Sequence, residues 1–311
     1  GVWSLVGGYF ASGLYTLIAA QIARPFLPRV RFRPAEIAPL ARVGVHAAAA
    51  NLLEQLQRNV DYLLIGWFYG PAPLAVYRVA FAVGMEPALA IGTLINRTAL
   101  PVFARAAAVR EQLVQSLMWS LRRLAFLIVP LTVATLLAAR PIAALIRDGQ
   151  GHSYAAAVLP IELLAVAAFL RVTSQLLFPV FMGTGRPAIA ARLSSATLIL
   201  LSAGLIIVGT SLPARMGIIA ACAVWVALYP LLLLWEARYL RRHWDMRART
   251  LAGAFLAPSA AAAILACVVE AVRRLPSLSD PRIELGVVLA AAGLTYAGLA
   301  LHSRPRRYGT A

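Results

Sequence analysis

Polar and charged side chains interrupt one apolar stretch of this 311-residue sequence, between about residues 37 and 69. Glu54 and Arg58 are four residues apart and Arg58 and Asp61 three apart, so on a helix each pair shares a face, and Asn51 lies one turn earlier. A charge inside a membrane costs about 2.5–3.5 kcal/mol on insertion scales, so it needs a partner or water. The pattern therefore predicts a neutralised packing network, a hydrated cavity that substrate touches, or both.

Two later apolar stretches carry charges as well. Arg78 and Glu86 are eight residues apart in one of them, and Glu162 and Arg171 lie in another. A guanidinium stays protonated and binds phosphate through paired hydrogen bonds, so both arginines are candidate anion ligands. For Arg78, a side chain that only reaches the membrane interface is an equal alternative. The predicted cavity residues are Asn51, Glu54, Arg58, Asp61, Arg78, Glu86, Glu162 and Arg171.

Several kinds of chemistry have no support in the sequence. The two cysteines, Cys222 and Cys267, lie inside apolar runs and form no Cys-x-x-Cys pair, so we expect them to be small buried residues. The four histidines are scattered and have no partner at metal-ligand spacing. No Gly-x-x-x-x-Gly-Lys-Ser/Thr loop is present. We therefore expect no catalytic residue, no metal and no cofactor, and transport driven by an ion or substrate gradient.

Composition indicates a membrane protein. The chain is 61% hydrophobic, only 13% charged, and has a mean hydropathy of +0.78. Soluble domains carry about 25% charged residues. The apolar runs predict an all-α integral membrane protein, a polytopic bundle of about nine transmembrane helices separated by Gly- and Pro-rich turns. The predicted spans a to i are residues 1–23, 37–69, 74–100, 117–137, 155–182, 188–212, 216–235, 250–272 and 283–301.

The basic residues predict the orientation. The net charge is +17, and all 29 basic residues are arginine. They are concentrated after spans a, c, e and g and in the tail, which places those loops and the C-terminus in the cytoplasm. They are spread between apolar runs, so anionic lipid explains them better than nucleic acid. The loops are short, which argues against a membrane glycosyltransferase or ligase with a catalytic outer loop.

Sequence motifs around span b resemble a known family. The run Asn-Val-Asp-Tyr-Leu-Leu-Ile-Gly at residues 59–66 leads into the turn and helix start at 70–80. Together with the Gly-Thr-Gly-Arg-Pro turn at 183–187, this is similar to the polysaccharide transporter (oligosaccharide flippase) family of the MOP exporter superfamily. Ala75 stands where that family usually has glycine.

The resemblance implies a MATE-like arrangement of about fourteen helices, of which this chain would hold the last nine, with the N-terminal lobe largely missing. Residues 1–36 would then be the last helix of that lobe with a basic cytoplasmic linker. Residues 37–212 would form the C-terminal lobe with the start of the following helices. Residues 213–311 would add three helices and a basic tail. The expected location is the bacterial inner (plasma) membrane.

The resemblance also implies a function. We expect the chain to flip a polyprenyl-pyrophosphate-linked oligosaccharide repeat unit across the membrane for surface polysaccharide, lipopolysaccharide (O-antigen) or exopolysaccharide biosynthesis. Expected partners are that lipid-linked oligosaccharide, membrane lipids, polysaccharide polymerase and export machinery, and a coupling ion, but no nucleic acid. A peptidoglycan-precursor flippase or cation-coupled drug exporter of the same fold stays open, as does a non-catalytic scaffold subunit.

Overall fold

The computed structural model describes residues 2–23, 58–147, 153–246, 248–273 and 280–302, together with residues 25, 56 and 151. Over these residues the chain is almost entirely helical, with one 3-10 turn at Ala155–Ala157 and one isolated bridge between Arg147 and Ser153. The helices are α1 (Val2–Ala23), α2 (58–69), α3 (Pro71–Gly84), α4 (Glu86–Ala106), α5 (Arg110–Leu145), α6 (Val158–Gln175), α7 (Leu177–Gly183), α8 (Pro187–Ser211), α9 (Ala214–Trp244), α10 (Ala248–Arg273) and α11 (Pro281–His302).

Seven of the helical stretches in the described residues are long and apolar enough to cross a membrane. This confirms the predicted all-α, multi-pass membrane fold. The predicted span i is also a helix, α11, whereas most of span b before residue 58 lies outside the described residues. The count of nine therefore stays a prediction. Helices α2 to α11 belong to one compact unit, residues 57–311, and α1 belongs to a second, residues 1–56.

Proline and glycine divide the helices that position the site. Gly70 has a φ of +81°, a left-handed conformation that glycine adopts without strain, and it separates α2 from α3. Spans c and e, each predicted as one segment, are both divided, at Met85 and at Leu176. The cause is the proline that follows each break, Pro87 or Pro179, whose ring clashes with the carbonyl four residues earlier.

Helix α6 lies at the centre of the second unit and packs against α3, α4, α5 and α9. Two glycines allow the close approach of α3 and α4. A Cβ at Gly84 would lie 2.7 Å from the carbonyl oxygen of Ile161, and a Cβ at Gly92 would lie 2.7 Å from a methyl group of Val172. Both contacts are too short for any side chain, so the two glycines fix the position of α6 and of the polar groups it carries.

Helices α10 and α11 pack on α5 through a small separate apolar cluster, in which Leu265 and Val288 are fully buried. Arg273 fastens the same three helices, because its Nε donates to Glu284 at 2.7 Å and its Nη2 donates to the carbonyl of Leu137. Cysteine burial follows this packing only in part. Cys222 on α9 is buried, as expected, but the expectation is wrong for Cys267, which lies on an exposed face of α10.

Candidate functional site

A chain of buried hydrogen bonds joins α2, α3 and α9. Asp61 on α2 is 2% exposed, and the hydroxyl of Tyr77 donates to its Oδ2 at 2.8 Å. The indole Nε1 of Trp225 on α9 donates to the same Tyr77 oxygen at 2.9 Å. Because the Tyr77 hydroxyl both donates and accepts, it couples a carboxyl group on one helix to an indole on another. The ring of Tyr62 packs edge-on against Tyr77, and the ring of Phe81 packs edge-on against Trp225. Aromatic rings therefore surround this chain of hydrogen bonds.

Arg171 on α6 lies beside the other face of Trp225. Its guanidinium carbon is 4.9 Å from the centre of a Trp225 ring, and its Nη1 lies 3.4 Å from the sulfur of Met85. Its Nε is buried and has no hydrogen-bond partner among the residues that the structure describes. A thioether is a weak acceptor and an aromatic face accepts no full hydrogen bond. The charge is therefore held in place by its surroundings but not neutralised by a direct carboxylate bond at Nε.

Arg171 lines a cavity of about 90 Å³ between α6, α8 and α9. Polar groups from all three helices face this space, which we call the polar cavity. The polar lining residues are Arg171, Ser174, Gln175, Ser194, Thr197, Tyr229 and Glu236. A space of this size with several donors and acceptors has room for ordered water. Water there would satisfy the Nε of Arg171, for which the described residues provide no partner.

Glu236 on α9 forms the opposite wall of the polar cavity. Its side chain is only 3% exposed, and its Oε1 accepts a hydrogen bond of 2.7 Å from the hydroxyl of Ser174. Its Oε2 is buried without a partner among the described residues. Arginine and glutamate atoms that both lack partners thus border one cavity without bonding each other, which is unusual in a folded protein because such atoms cost about 1–3 kcal/mol each.

The predicted site residues fall in different places. Asn51 and Glu54 lie outside the described residues. Arg58, Arg78 and Glu86 are exposed, and Glu162 is half-buried on α6. The guanidinium of Arg78 lies 5.6 Å from the ring centre of Tyr62. Of the six predicted residues that the structure describes, only Arg171 lines the polar cavity, while Asp61 is connected to its wall through Tyr77 and Trp225. A cavity shared by Arg58 and Asp61 stays a prediction.

Sequence reasoning missed Glu236 and its partner Ser174. Glu236 was placed beyond the predicted end of span g at residue 235, but α9 continues to Trp244. One signal was available, because Trp225, Tyr229, Leu232 and Glu236 follow each other at intervals of four, three and four residues. That spacing puts all four on one helix face. Because the other three side chains are aromatic or apolar, the face is expected to be buried, and Glu236 with it.

Comparison with known proteins agrees with this fold. Residues 1–154 match the model of a protein family described as "Polysaccharide biosynthesis protein". The chain is 27% identical over 157 residues to the teichuronic acid biosynthesis protein TuaB of Bacillus subtilis (strain 168), a match that covers 50% of this chain. It is 25% identical over 103 residues to the lipopolysaccharide biosynthesis protein WzxC of Escherichia coli (strain K12), a match that covers 33% of this chain.

These matches support the resemblance of the chain to the polysaccharide transporter family. The resemblance predicted from span b and its turn is thereby confirmed. The matches cover 32% of the length of TuaB and 21% of the length of WzxC, so the chain spans a third or less of these relatives. The family match includes Asp61 and Tyr77 but ends before Arg171 and Glu236.

Proposed function

We propose that this chain is the part of a flippase that moves a polyprenyl-diphosphate-linked oligosaccharide across the bacterial inner membrane for surface polysaccharide biosynthesis. Two relatives named for teichuronic acid and lipopolysaccharide biosynthesis support the polysaccharide over the peptidoglycan-precursor and drug-export alternatives. The arginine-rich loops support a cytoplasmic C-terminus.

One observation carries the proposal, namely the state of Arg171. A half-buried guanidinium on a membrane helix faces a polar cavity, where it contacts a sulfur atom and an aromatic ring. Its own Nε is buried and has no hydrogen-bond partner among the described residues. A diphosphate offers strong charged acceptors that replace such weak partners at little cost. Arg171 is therefore suited to bind the diphosphate while the polyprenyl chain stays in lipid.

The polar cavity also limits the proposal. At about 90 Å³ it holds water but no sugar, so a flippase must widen this space between α6, α8 and α9. Three prolines lie in the helices concerned, Pro160 and Pro179 on the two sides of Arg171 and Pro230 within α9. Pro230 removes a backbone hydrogen bond inside α9, and Pro179 follows the break between α6 and α7, so the chain bends easily at both places. Pro160 lies in the first turn of α6.

The test is made in cells that depend on this protein for polysaccharide export. Arg171→Ala should reduce surface polysaccharide, because the diphosphate loses its ligand, while lipid-linked repeat units accumulate on the cytoplasmic side. Arg171→Lys should restore only part of the export, since an ammonium cannot bind two oxygens in parallel. The control is Arg192→Ala, which removes an exposed arginine from α8.

Two outcomes would contradict the proposal. If Arg171→Ala leaves export unchanged, Arg171 does not bind substrate. If export falls but the lipid-linked units become accessible to an enzyme added outside the cell, the defect follows translocation, and a polymerase or ligase role replaces the flippase.

A further inference from the structure

A second cavity lies beside the polar cavity and has a different character. It measures about 370 Å³ and is enclosed by α5, α6, α7, α9 and α10. We call it the apolar cavity, because apart from Thr173 and Glu236 its lining is hydrocarbon. The apolar lining residues are Leu117, Leu121, Phe169, Leu176, Leu177, Leu233, Ala237, Leu240, Leu251, Ala252 and Phe255. Its volume lies within the range of about 300–1,000 Å³ that is usual for small-molecule sites.

Among the described lining residues of this cavity, one polar side-chain atom, the Oε2 of Glu236, has no hydrogen-bond partner. The hydroxyl of Thr173 donates to the carbonyl of Phe169 at 2.8 Å, so it is satisfied within its own helix. Glu236 is the only ionisable residue among the described lining residues, and it faces both cavities. Its Oε1 is occupied by Ser174, whereas its buried Oε2 has no partner in the described part of the chain.

A partner that donates a hydrogen bond and carries positive charge would satisfy Glu236 in its carboxylate form. A buried carboxylate is costly unless it is both hydrogen-bonded and paired. An anionic amphiphile would be repelled by Glu236, and a neutral one would leave the charge unpaired. An ammonium head would satisfy both needs, and the hydrocarbon lining suits an aliphatic tail.

The route to this cavity leads from the membrane. Ala252 on α10 is exposed, and Ala237 and Leu251 are half-buried, so the lining reaches the outer surface of the bundle. We propose that α5, α6, α9 and α10 form an intramembrane site for a membrane-resident amphiphile with a primary ammonium head. The head binds Glu236, and the tail fills the apolar cavity. This site goes beyond the flippase function, since its occupant is not the exported glycan.

A set of ligands with one tail and three heads tests the site. The purified chain in nanodiscs of zwitterionic lipid is titrated with dodecylamine, dodecanol and dodecanoate, and binding to empty nanodiscs is subtracted. Dodecylamine should bind roughly tenfold or more tightly than dodecanol, because a hydrogen bond to a charged group is stronger than a neutral one. Dodecanoate should bind most weakly.

Two variants and a control locate the site. Glu236→Gln should abolish the preference for the amine while dodecanol still binds, which also shows that the variant is folded. Ala252→Phe should weaken binding of both ligands, because the ring fills the cavity from an exposed position that tolerates bulk. Glu111→Gln, which neutralises an exposed glutamate at the start of α5, should change nothing.

Some results would overturn the site. Equal binding of amine and alcohol by the unmodified chain would show that charge does not select the occupant. Amine binding that survives both Glu236→Gln and Ala252→Phe would place the ligand elsewhere. If Glu236→Gln does not fold, the head-group ranking and Ala252→Phe still decide. Failure here leaves the flippase proposal standing, since the assay measures neither transport nor export.

Discussion

Replacing Tyr77 by phenylalanine removes one hydroxyl and nothing else from the middle of the helix bundle. Tyr77 is fully buried, and its hydroxyl makes two interhelical bonds, one to the Asp61 carboxyl and one from the Trp225 indole. In membranes an interhelical hydrogen bond contributes about 0.6 kcal/mol on average. A bond to a charged group is roughly twice as strong. We therefore expect Tyr77→Phe to lower the free energy of unfolding by about 2 kcal/mol.

Tyr69 provides a matched control for this substitution. Its hydroxyl makes a single neutral bond of 2.9 Å to the carbonyl of Val208 and is only part-buried. Tyr69→Phe should therefore cost about 0.6 kcal/mol. Both variants are measured by SDS-induced unfolding in mixed micelles, with helix content followed by circular dichroism. Because each variant loses the same atom, the difference between them reports the second bond of Tyr77, the charge of its Asp61 acceptor and its deeper burial.

The reasoning can also be tested by changing the acceptor. Asp61→Asn keeps an oxygen that accepts from Tyr77 but removes the charge, so on this background Tyr77→Phe should cost only about 1 kcal/mol. If Tyr77→Phe costs no more than Tyr69→Phe, the chain of bonds from Asp61 to Trp225 does not stabilise the bundle. If the cost is the same with Asp61 and with asparagine, the bond is not assisted by charge.

Two further predictions concern how the bundle is held together. Arg273→Ala should lower the free energy of unfolding by about 1.5–3 kcal/mol, because Arg273 bonds both Glu284 and the Leu137 carbonyl. Arg282 is exposed, so Arg282→Ala should have no effect in the same SDS titration. Gly84→Ala should lower the free energy of unfolding by about 1–3 kcal/mol, because the added Cβ clashes with α6. Gly253→Ala, whose Cβ would meet no atom within 4 Å, should be neutral or slightly stabilising. Equal costs for the two variants would refute the close approach of the helices at Gly84.

Hydropathy predicted the membrane helices well but not where they end. The predicted span d covers residues 117–137, whereas α5 runs from Arg110 to Leu145, about 54 Å at 1.5 Å per residue. Charged and polar residues end a hydropathy window but do not end a helix, because their side chains leave the backbone hydrogen bonds between residues four apart intact. The same distinction explains Glu236, which lies one residue beyond the predicted span g but well inside α9.

The candidate site was predictable only where one helix contains the signal. Arg171 was found because a charge within an apolar run is conspicuous by itself. The partners of the site were not, since Ser174 and Glu236 are 62 residues apart and Tyr77 and Trp225 are 148 apart. Contacts at such separations depend on which helices pack together. The residue pattern of a single sequence does not reveal which helices pack together.

The two cavities share one wall, and this arrangement favours function over stability as the reason for the buried charges. If Arg171 and Glu236 only served packing, a direct salt bridge would satisfy both, and apolar side chains would do as well or better. Instead the Nε of Arg171 and the Oε2 of Glu236 each lack a hydrogen-bond partner within the described part of the chain. Each side chain is therefore held in place while one of its polar atoms is still able to bind a ligand. A guanidinium in this state is suited to an anion in the polar cavity, and a carboxylate is suited to a cation in the apolar cavity. Because Arg171 and Glu236 border the polar cavity from opposite sides and make no direct salt bridge, each can bind its own ligand without first breaking a bond to the other.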